Sequence, residues 1–310
     1  MFGKKKKPIL SVIVAFYNME REAPRTLYTL SSTYQRGVSE SDYEVIAVDC
    51  GSDTPLDEAM VRSFGKQFRL VRMPPNPSPA ASINRAALSS RGELITICID
   101  GARLLSPGIL RLTLASFRAF ENPVTATASM HLGPGIQRKT ILEGYNSKVE
   151  DQLLESIDWR SNGYELVKIS ALAGSSENGW FYPLHESSCV TVRKDTLIQL
   201  GGLDENFTSP GGGLVNIDYY KRAVDYCTES VVLIGECTFH QIHGGVATNS
   251  TNDSVILKFL DEYQKIRQEP FRPTQKLPFL IGSVTPESSR ILSESAEKFH
   301  EKCQLTVENE

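Results

Sequence analysis

The sequence predicts an α/β fold built on a mostly parallel sheet, and three observations carry that expectation. Short apolar runs rich in β-branched residues recur through the first 130 positions. Helical stretches with recognisable starts separate them. Strands alternating with helices require crossover connections, which give a parallel sheet covered on both faces.

The elements follow in order. Leu10-Ser-Val-Ile-Val-Ala-Phe16 is almost continuously apolar and reads as a buried strand. A helix is expected from about Glu20, with Pro24 tolerated in its first turn. Glu44 to Val48 forms a second strand and Phe68 to Met73 a third. Pro79 opens a helix whose end Gly92 marks, and Leu94 to Ile99 is a fourth strand. Ser106 and Pro107 suit the N-cap and first position of a helix reaching Phe120. Val124 to Met130 is a fifth strand. Asp49 and Asp100 each stand at a strand end. Open α/β sheets bind ligands beyond the carboxyl ends of their strands, so both carboxylates are expected to face one crevice. The alternative is that each caps its own turn.

The second half is less regular. Gly133-Pro134-Gly135 begins an irregular stretch, and Ser188 to Arg193 reads as a strand. A short helix stops at Gly201-Gly202, and Pro210 to Gly213 is a loop before a helix carrying Asp218. Val231 to Ile234 is a strand leading towards His240 and His243. Beyond Asn252, Val255, Ile256, Phe259, Leu260, Tyr263 and Ile266 fall on one helical face. A polar helix is expected near Ser289 to His300.

Composition narrows the function classes. With 310 residues, 40% of them hydrophobic and 23% charged, the chain is an ordinary core-forming protein rather than a disordered or fibrous one. No apolar run approaches the roughly eighteen residues of a membrane-spanning helix. The net charge is −4 although four of the cations sit together at Lys4 to Lys7, so general nucleic-acid binding is not expected. That basic run offers peripheral contact with an anionic membrane face, or is a frayed, solvated terminus. The cysteines are scattered without a Cys-x-x-Cys pair, as suits reduced thiols in a cytoplasmic protein.

Several short motifs, in this order, resemble family 2 of the glycosyltransferases with the GT-A fold. Ser11-Val-Ile-Val-Ala-Phe-Tyr-Asn18 is similar to that family's opening strand and Tyr-Asn turn, and Val48-Asp-Cys-Gly-Ser52 to its Val-Asp-Asp-Gly-Ser turn. Asn84, Arg91-Gly92-Glu93 and the strand to Asp100 resemble the stretch leading to the Asp-x-Asp motif. Gly201-Gly-Leu-Asp-Glu-Asn-Phe207 resembles the Gly-Gly-Phe-Asp-Glu-x-Phe signature before the acceptor site. The resemblance implies a GT-A domain over residues 1–250 with a C-terminal helical extension over 251–310. It also implies an inverting transfer of sugar from a nucleotide donor to a hydroxyl of a glycan or lipid-linked acceptor. Ala15, Tyr17, Asn18, Asp49, Asn84, Asp100 and Gly101 are then expected on the nucleotide sugar, in the cytoplasm or at the inner membrane face.

The departures from the family pattern are chemical. Cys50 replaces the second turn aspartate, leaving Asp49 as the base contact; Ala102 replaces the second carboxylate of Asp-x-Asp; Asn216 stands at another usual carboxylate position. Asp100 is therefore the expected ligand of Mg²⁺ or Mn²⁺ bridging the two phosphates. Asp218 is the surviving carboxylate on the acceptor side and the expected general base, unless it is a helix N-terminal residue favoured by the dipole. Trp180, His185 and Glu186 are candidates for acceptor contact, against incidental or core roles. The resemblance further suggests that His240 or His243 completes the metal site. As a strand continuation their spacing sends the rings to opposite faces; as a turn it lets both face the crevice. Imidazole ligation tilts preference towards Mn²⁺. A non-catalytic nucleotide-sugar-binding descendant is the competing expectation. A dinucleotide-dependent oxidoreductase is not, because Tyr17-Asn18-Met19 stands where a Gly-x-Gly-x-x-Gly turn would be needed.

Overall fold

A computed structural model describes residues 7–245 and 253–307. Ten strands form one sheet: β1 (Leu10–Phe16), β2 (Tyr43–Asp49), β3 (Phe68–Arg72), β4 (Leu94–Cys98), β5 (Arg103–Leu105), β6 (Pro123–Leu132), β7 (Ser170–Leu172), β8 (Cys189–Arg193), β9 (Glu229–His240) and β10 (Phe279–Gly282). The helices are α1 (Ala23–Thr29), α2 (Glu58–Ser63), α3 (Ala80–Leu88), α4 (Ile109–Ala119), α5 (Gln137–Thr140), α6 (Ser147–Glu155), α7 (Lys194–Gln199), α8 (Val215–Tyr226), α9 (Asp253–Arg267) and α10 (Ser289–Val307).

The main path of the sheet runs β10-β9-β6-β8-β4-β1-β2-β3, with β5 on β9 and β7 on β6. β1 pairs in parallel with β2 and β4, and β2 with β3. β8 is antiparallel to both β4 and β6, and β9 is parallel to β6 and β10. Two reversals through β8 restore the original direction. The carboxyl ends of β1, β2, β4, β6 and β9 therefore share one edge with the entry to β8. Every residue of β1, β2 and β4 is buried, which explains their unbroken apolar sequences.

Helix starts differ in one respect from the sequence reading. Ser106 does not cap α4, whose N-cap position falls on Gly108. Instead the buried Glu236 carboxylate accepts from Ser106 Oγ at 2.5 Å, Gly108 N at 3.0 Å and Tyr164 Oη at 2.8 Å. A carboxylate at that end satisfies orphan amides and meets the positive end of the helix dipole.

The C-terminal segment is not purely helical, as had been expected from residue 251. β10 extends the sheet through Phe279↔Val231 and its successors. Phe259 and Tyr263 of α9 and Ile291 of α10 are buried in the same core as the sheet residues Val190 and Val232. The extension thus shares one hydrophobic core with the rest of the chain. Among the described residues no helix is long and apolar enough to cross a membrane. Lys4 to Lys6 lie outside the described residues, so the membrane expectation placed on that run has no structural counterpart.

Candidate active site

The sheet topology brings Asp100, just past β4, beside His240, the last residue of β9. Asp100 Oδ2 lies 3.0 Å from His240 Nε2, and Oδ1 lies 3.7 Å from His243 Nε2. The two imidazole Nε2 atoms are 3.2 Å apart. One ligand atom from each of the three residues falls within 4.8 Å of the others. The choice between strand and turn resolves as both: His240 ends the strand and His243 follows a turn that folds back onto it. That turn is held at Ile242, whose N–H donates to Glu150 Oε2 at 2.7 Å and whose carbonyl accepts from Arg21 Nη1 at 3.1 Å.

The tautomer of His240 is set from behind. The Gln137 side-chain amide donates to the His240 carbonyl at 2.9 Å, so its Oε1 faces His240 Nδ1 at 2.6 Å. An oxygen there requires the proton on Nδ1, which leaves an Nε2 lone pair directed at Asp100. Burial, reinforced by the Arg103 cation, lowers the His240 pKa to about 4, so this ring is neutral. His243 behaves oppositely: burial works against its cation, but the Asp100 carboxylate outweighs that and raises its pKa. Burial would raise Asp100, yet His243 and His240 hold its carboxyl well below the usual range. A carboxylate and a neutral imidazole facing each other at 3.0 Å are two acceptors without a shared proton of their own. Such a cluster fits a divalent cation, with Gln137 as the outer partner that ligating histidines ordinarily have.

Three site residues carry no sequence signal. Gln137 opens the short helix α5 after β6, where the sequence reads as irregular. His131, at the end of β6, accepts from Gln137 N at 2.9 Å, and burial lowers its pKa to about 3. Arg103 is buried beside Asp100, with Nε 3.5 Å from Oδ2, and its Nε and Nη1 have no hydrogen-bond partner among the described residues. A fixed cation thus lies three positions after Asp100, close to where the family pattern has its second carboxylate.

Several expected contacts are corrected. Asp218 is only 1% exposed, and both its oxygens are taken by Arg222 and Arg267 at 2.5 to 2.7 Å. With both oxygens held by guanidinium groups in the core, the geometry leaves Asp218 no oxygen turned to an acceptor hydroxyl, against the expected base role. Asp49 is buried and shapes its own loop, accepting from Gly51 N, Ser52 N and Leu56 N, the turn-capping alternative. Beside it, burial pushes the Cys50 thiol up to about 11, so no anion replaces it there. Asn84 clasps Leu203 through both its backbone groups and also reaches Glu205, fixing α3 to the Gly201-Gly202 turn. Trp180 is a fully buried core residue whose backbone N–H donates to Ser295 Oγ of α10. Ala15 is buried, and Gly101 is required by packing, since a Cβ there would overlap the Phe16 ring.

Other expected residues lie in the loops at the carboxyl edge of the sheet. Tyr17 is 51% exposed just past β1. Asn18, with a left-handed φ of 52°, bridges to Ser52 and Asp53 and ties the first two strand-end loops together. His185 and Glu186 are half-buried at the entry to β8.

Known proteins share this architecture. The family model described as glycosyl transferase family 2 matches residues 11–125, from the second residue of β1 to the start of β6. A validoxylamine A glucosyltransferase from Streptomyces hygroscopicus subsp. limoneus is 25% identical over 240 residues, 70% of this chain and 48% of its own length. The chain thus spans about half the length of that relative. S. aureus TarS, as its 1–349 fragment, superposes with a TM-score of 0.52 at 14% identity, covering 94% of this chain and 79% of that one. The same fragment in complex with UDP-GlcNAc gives 0.52 at 14% identity over 93% and 72%. These likenesses to solved structures establish the fold, and the match to the glycosyl transferase family 2 model covers residues 11–125 of the chain.

Proposed function

We propose that the chain is an inverting glycosyltransferase that moves a sugar from a nucleoside diphosphate donor to a hydroxyl of a glycan or lipid-linked acceptor. The convergence of Asp100, His240 and His243 at the carboxyl edge of the sheet carries this reading. Asp100 lies within residues 11–125, the segment that matches the family model, and the two histidines reach it from β9 and the turn beyond. The structural relative TarS binds UDP-GlcNAc, which supports a nucleotide sugar as the donor class.

The residues divide the work. Tyr17 offers an exposed ring at the crevice mouth on which a nucleobase can stack. Asn18 joins the loops after β1 and β2 and so shapes the nucleoside end. Asp100, His240 and His243 would hold a divalent cation, which when bound supplies charge to the departing diphosphate. Gln137 orients His240 for that task, and Arg103 contributes a fixed positive charge beside Asp100. Two imidazoles with one carboxylate favour Mn²⁺ over Mg²⁺, because magnesium prefers an oxygen shell.

The test is a screen of sugar nucleotides by thermal unfolding with and without Mn²⁺, followed by nucleotide-release assays on those that stabilise. Stabilisation that depends on both ligands, with release of nucleoside diphosphate, is expected. Metal-dependent binding with no release on any acceptor would identify the non-catalytic descendant instead, the reading that Ala102 favours.

A further inference from the structure

We propose that Glu186 takes the proton from the acceptor hydroxyl and that Asn216 positions it; this rests on the transferase reading above. With Asp218 locked between two arginines, the acceptor side needs another proton acceptor. Glu186 stands three residues before Cys189, which pairs with Cys98 in the β4–β8 ladder. Asp100 stands two residues after Cys98, so the two carboxylates lie on the same edge of the sheet.

The geometry around Glu186 is that of a held but unsaturated carboxylate. Asn216, in the first turn of α8, donates its Nδ2 to Glu186 Oε1 at 2.7 Å and to the Ser187 carbonyl at 3.0 Å. Glu186 Oε2 has no hydrogen-bond partner among the described residues, and the side chain is half-buried. One oxygen is thus fixed and the other is free to accept.

This pairing accounts for the amide at 216. A carboxylate there would face the Glu186 carboxylate at hydrogen-bond distance, and two like charges so close cannot both ionise. Moving the negative charge from the helix to the β8 entry requires a donor at 216, and asparagine supplies one in the same shape. In the transfer step the acceptor oxygen forms a bond to the anomeric carbon as its proton passes to Glu186 Oε2. The bond from that carbon to the diphosphate oxygen breaks, and its electron pair leaves with the nucleoside diphosphate. Glu186 then returns the proton to solvent.

The discriminating variant is Glu186→Gln, which keeps an oxygen for Asn216 and removes only the ability to take a proton. UDP release from UDP-glucose and UDP-GlcNAc, with Mn²⁺ and water as acceptor, is followed for wild type, E186Q, E186D, N216A and the double variant E186Q/N216A. E186Q is expected to lose at least about 100-fold in kcat, with donor KM and unfolding temperature unchanged. E186D retains partial activity. N216A loses about tenfold in kcat alone, and nothing further in the E186Q background, because it acts through Glu186. Wild-type turnover with E186Q within tenfold of it overturns the base assignment and leaves the transferase reading standing. Additive losses in the double variant overturn the positioning role of Asn216. A wild type that binds donor yet releases no UDP, with water or with any glycan or lipid-linked acceptor supplied, overturns the transferase reading and the base assignment with it.

Discussion

Gln137 Oε1 and His240 Nδ1 are 2.6 Å apart, and that single hydrogen bond decides which face of the imidazole ring carries a lone pair. With the proton pinned on Nδ1, Nε2 is presented to Asp100 and His243. The proposed metal centre would therefore depend on α5 as much as on the strands that carry its candidate ligands.

Replacing Gln137 by leucine should leave the fold intact but weaken Mn²⁺ binding by about 10- to 100-fold, the usual cost of losing an outer partner of a ligating histidine. Gln137 is fully buried, so unfolding is monitored alongside. Unchanged metal affinity in a folded variant would show that His240 needs no such orientation.

Asp100→Asn should reduce metal-dependent turnover by at least about tenfold, because the site loses its single carboxylate. The amide keeps the volume and can still accept from Ala102 N, as Asp100 Oδ1 does at 3.0 Å. Near-normal activity at saturating Mn²⁺ would remove Asp100 from the metal centre.

Asp218→Asn is expected to act on stability rather than chemistry. It leaves Arg222 and Arg267 beside a neutral group, and breaking a buried pair by removing one partner costs about 3 kcal/mol. Thermal unfolding should shift down by several degrees while kcat per folded molecule changes little. A large fall in kcat without a fall in stability would return the base role to Asp218.

Metal affinity should depend on pH with a definite sign. In the metal-free protein His243 is raised above its ordinary value while Asp100 is held well below the carboxylate range, so between those limits the site keeps one proton on His243. A cation must displace that proton. Affinity should therefore fall by about tenfold per unit as pH drops below the His243 pKa, and level off above it. Calorimetric Mn²⁺ titrations from about pH 6 to about pH 9 follow this directly. A flat profile would mean that His243 is not a ligand.

The parallel strands of the N-terminal part are readable in the sequence because buried parallel strands must be apolar throughout. The run from Leu10 to Phe16 and the one around Val45 to Val48 match β1 and β2 closely. α6 is not readable, because it buries only Glu150 and Leu154 and so shows no apolar stripe. β10 is equally silent: it is a short edge strand whose Phe279 is 54% exposed. Within the site, Asp100 and the His240–His243 pair are legible from residue type and spacing. Gln137 and Arg103 are not, since an amide behind a histidine and a guanidinium beside a carboxylate are relations in space with no periodic trace. Asp218 shows the converse. Its motif position suggests a base, and its arginine partners, one of them 49 residues away, leave no trace in the motif.

The most direct measurement is a titration of metal-stripped protein with Mn²⁺, read by the paramagnetic resonance signal of the free ion. Wild type, H240A and H243A are compared, with and without UDP. Wild type should bind one equivalent, more tightly when UDP is present, and each alanine variant should raise the Mn²⁺ requirement by at least about tenfold. Wild-type affinity in both variants, or no UDP-linked binding in the wild type, would contradict a metal centre built from Asp100, His240 and His243.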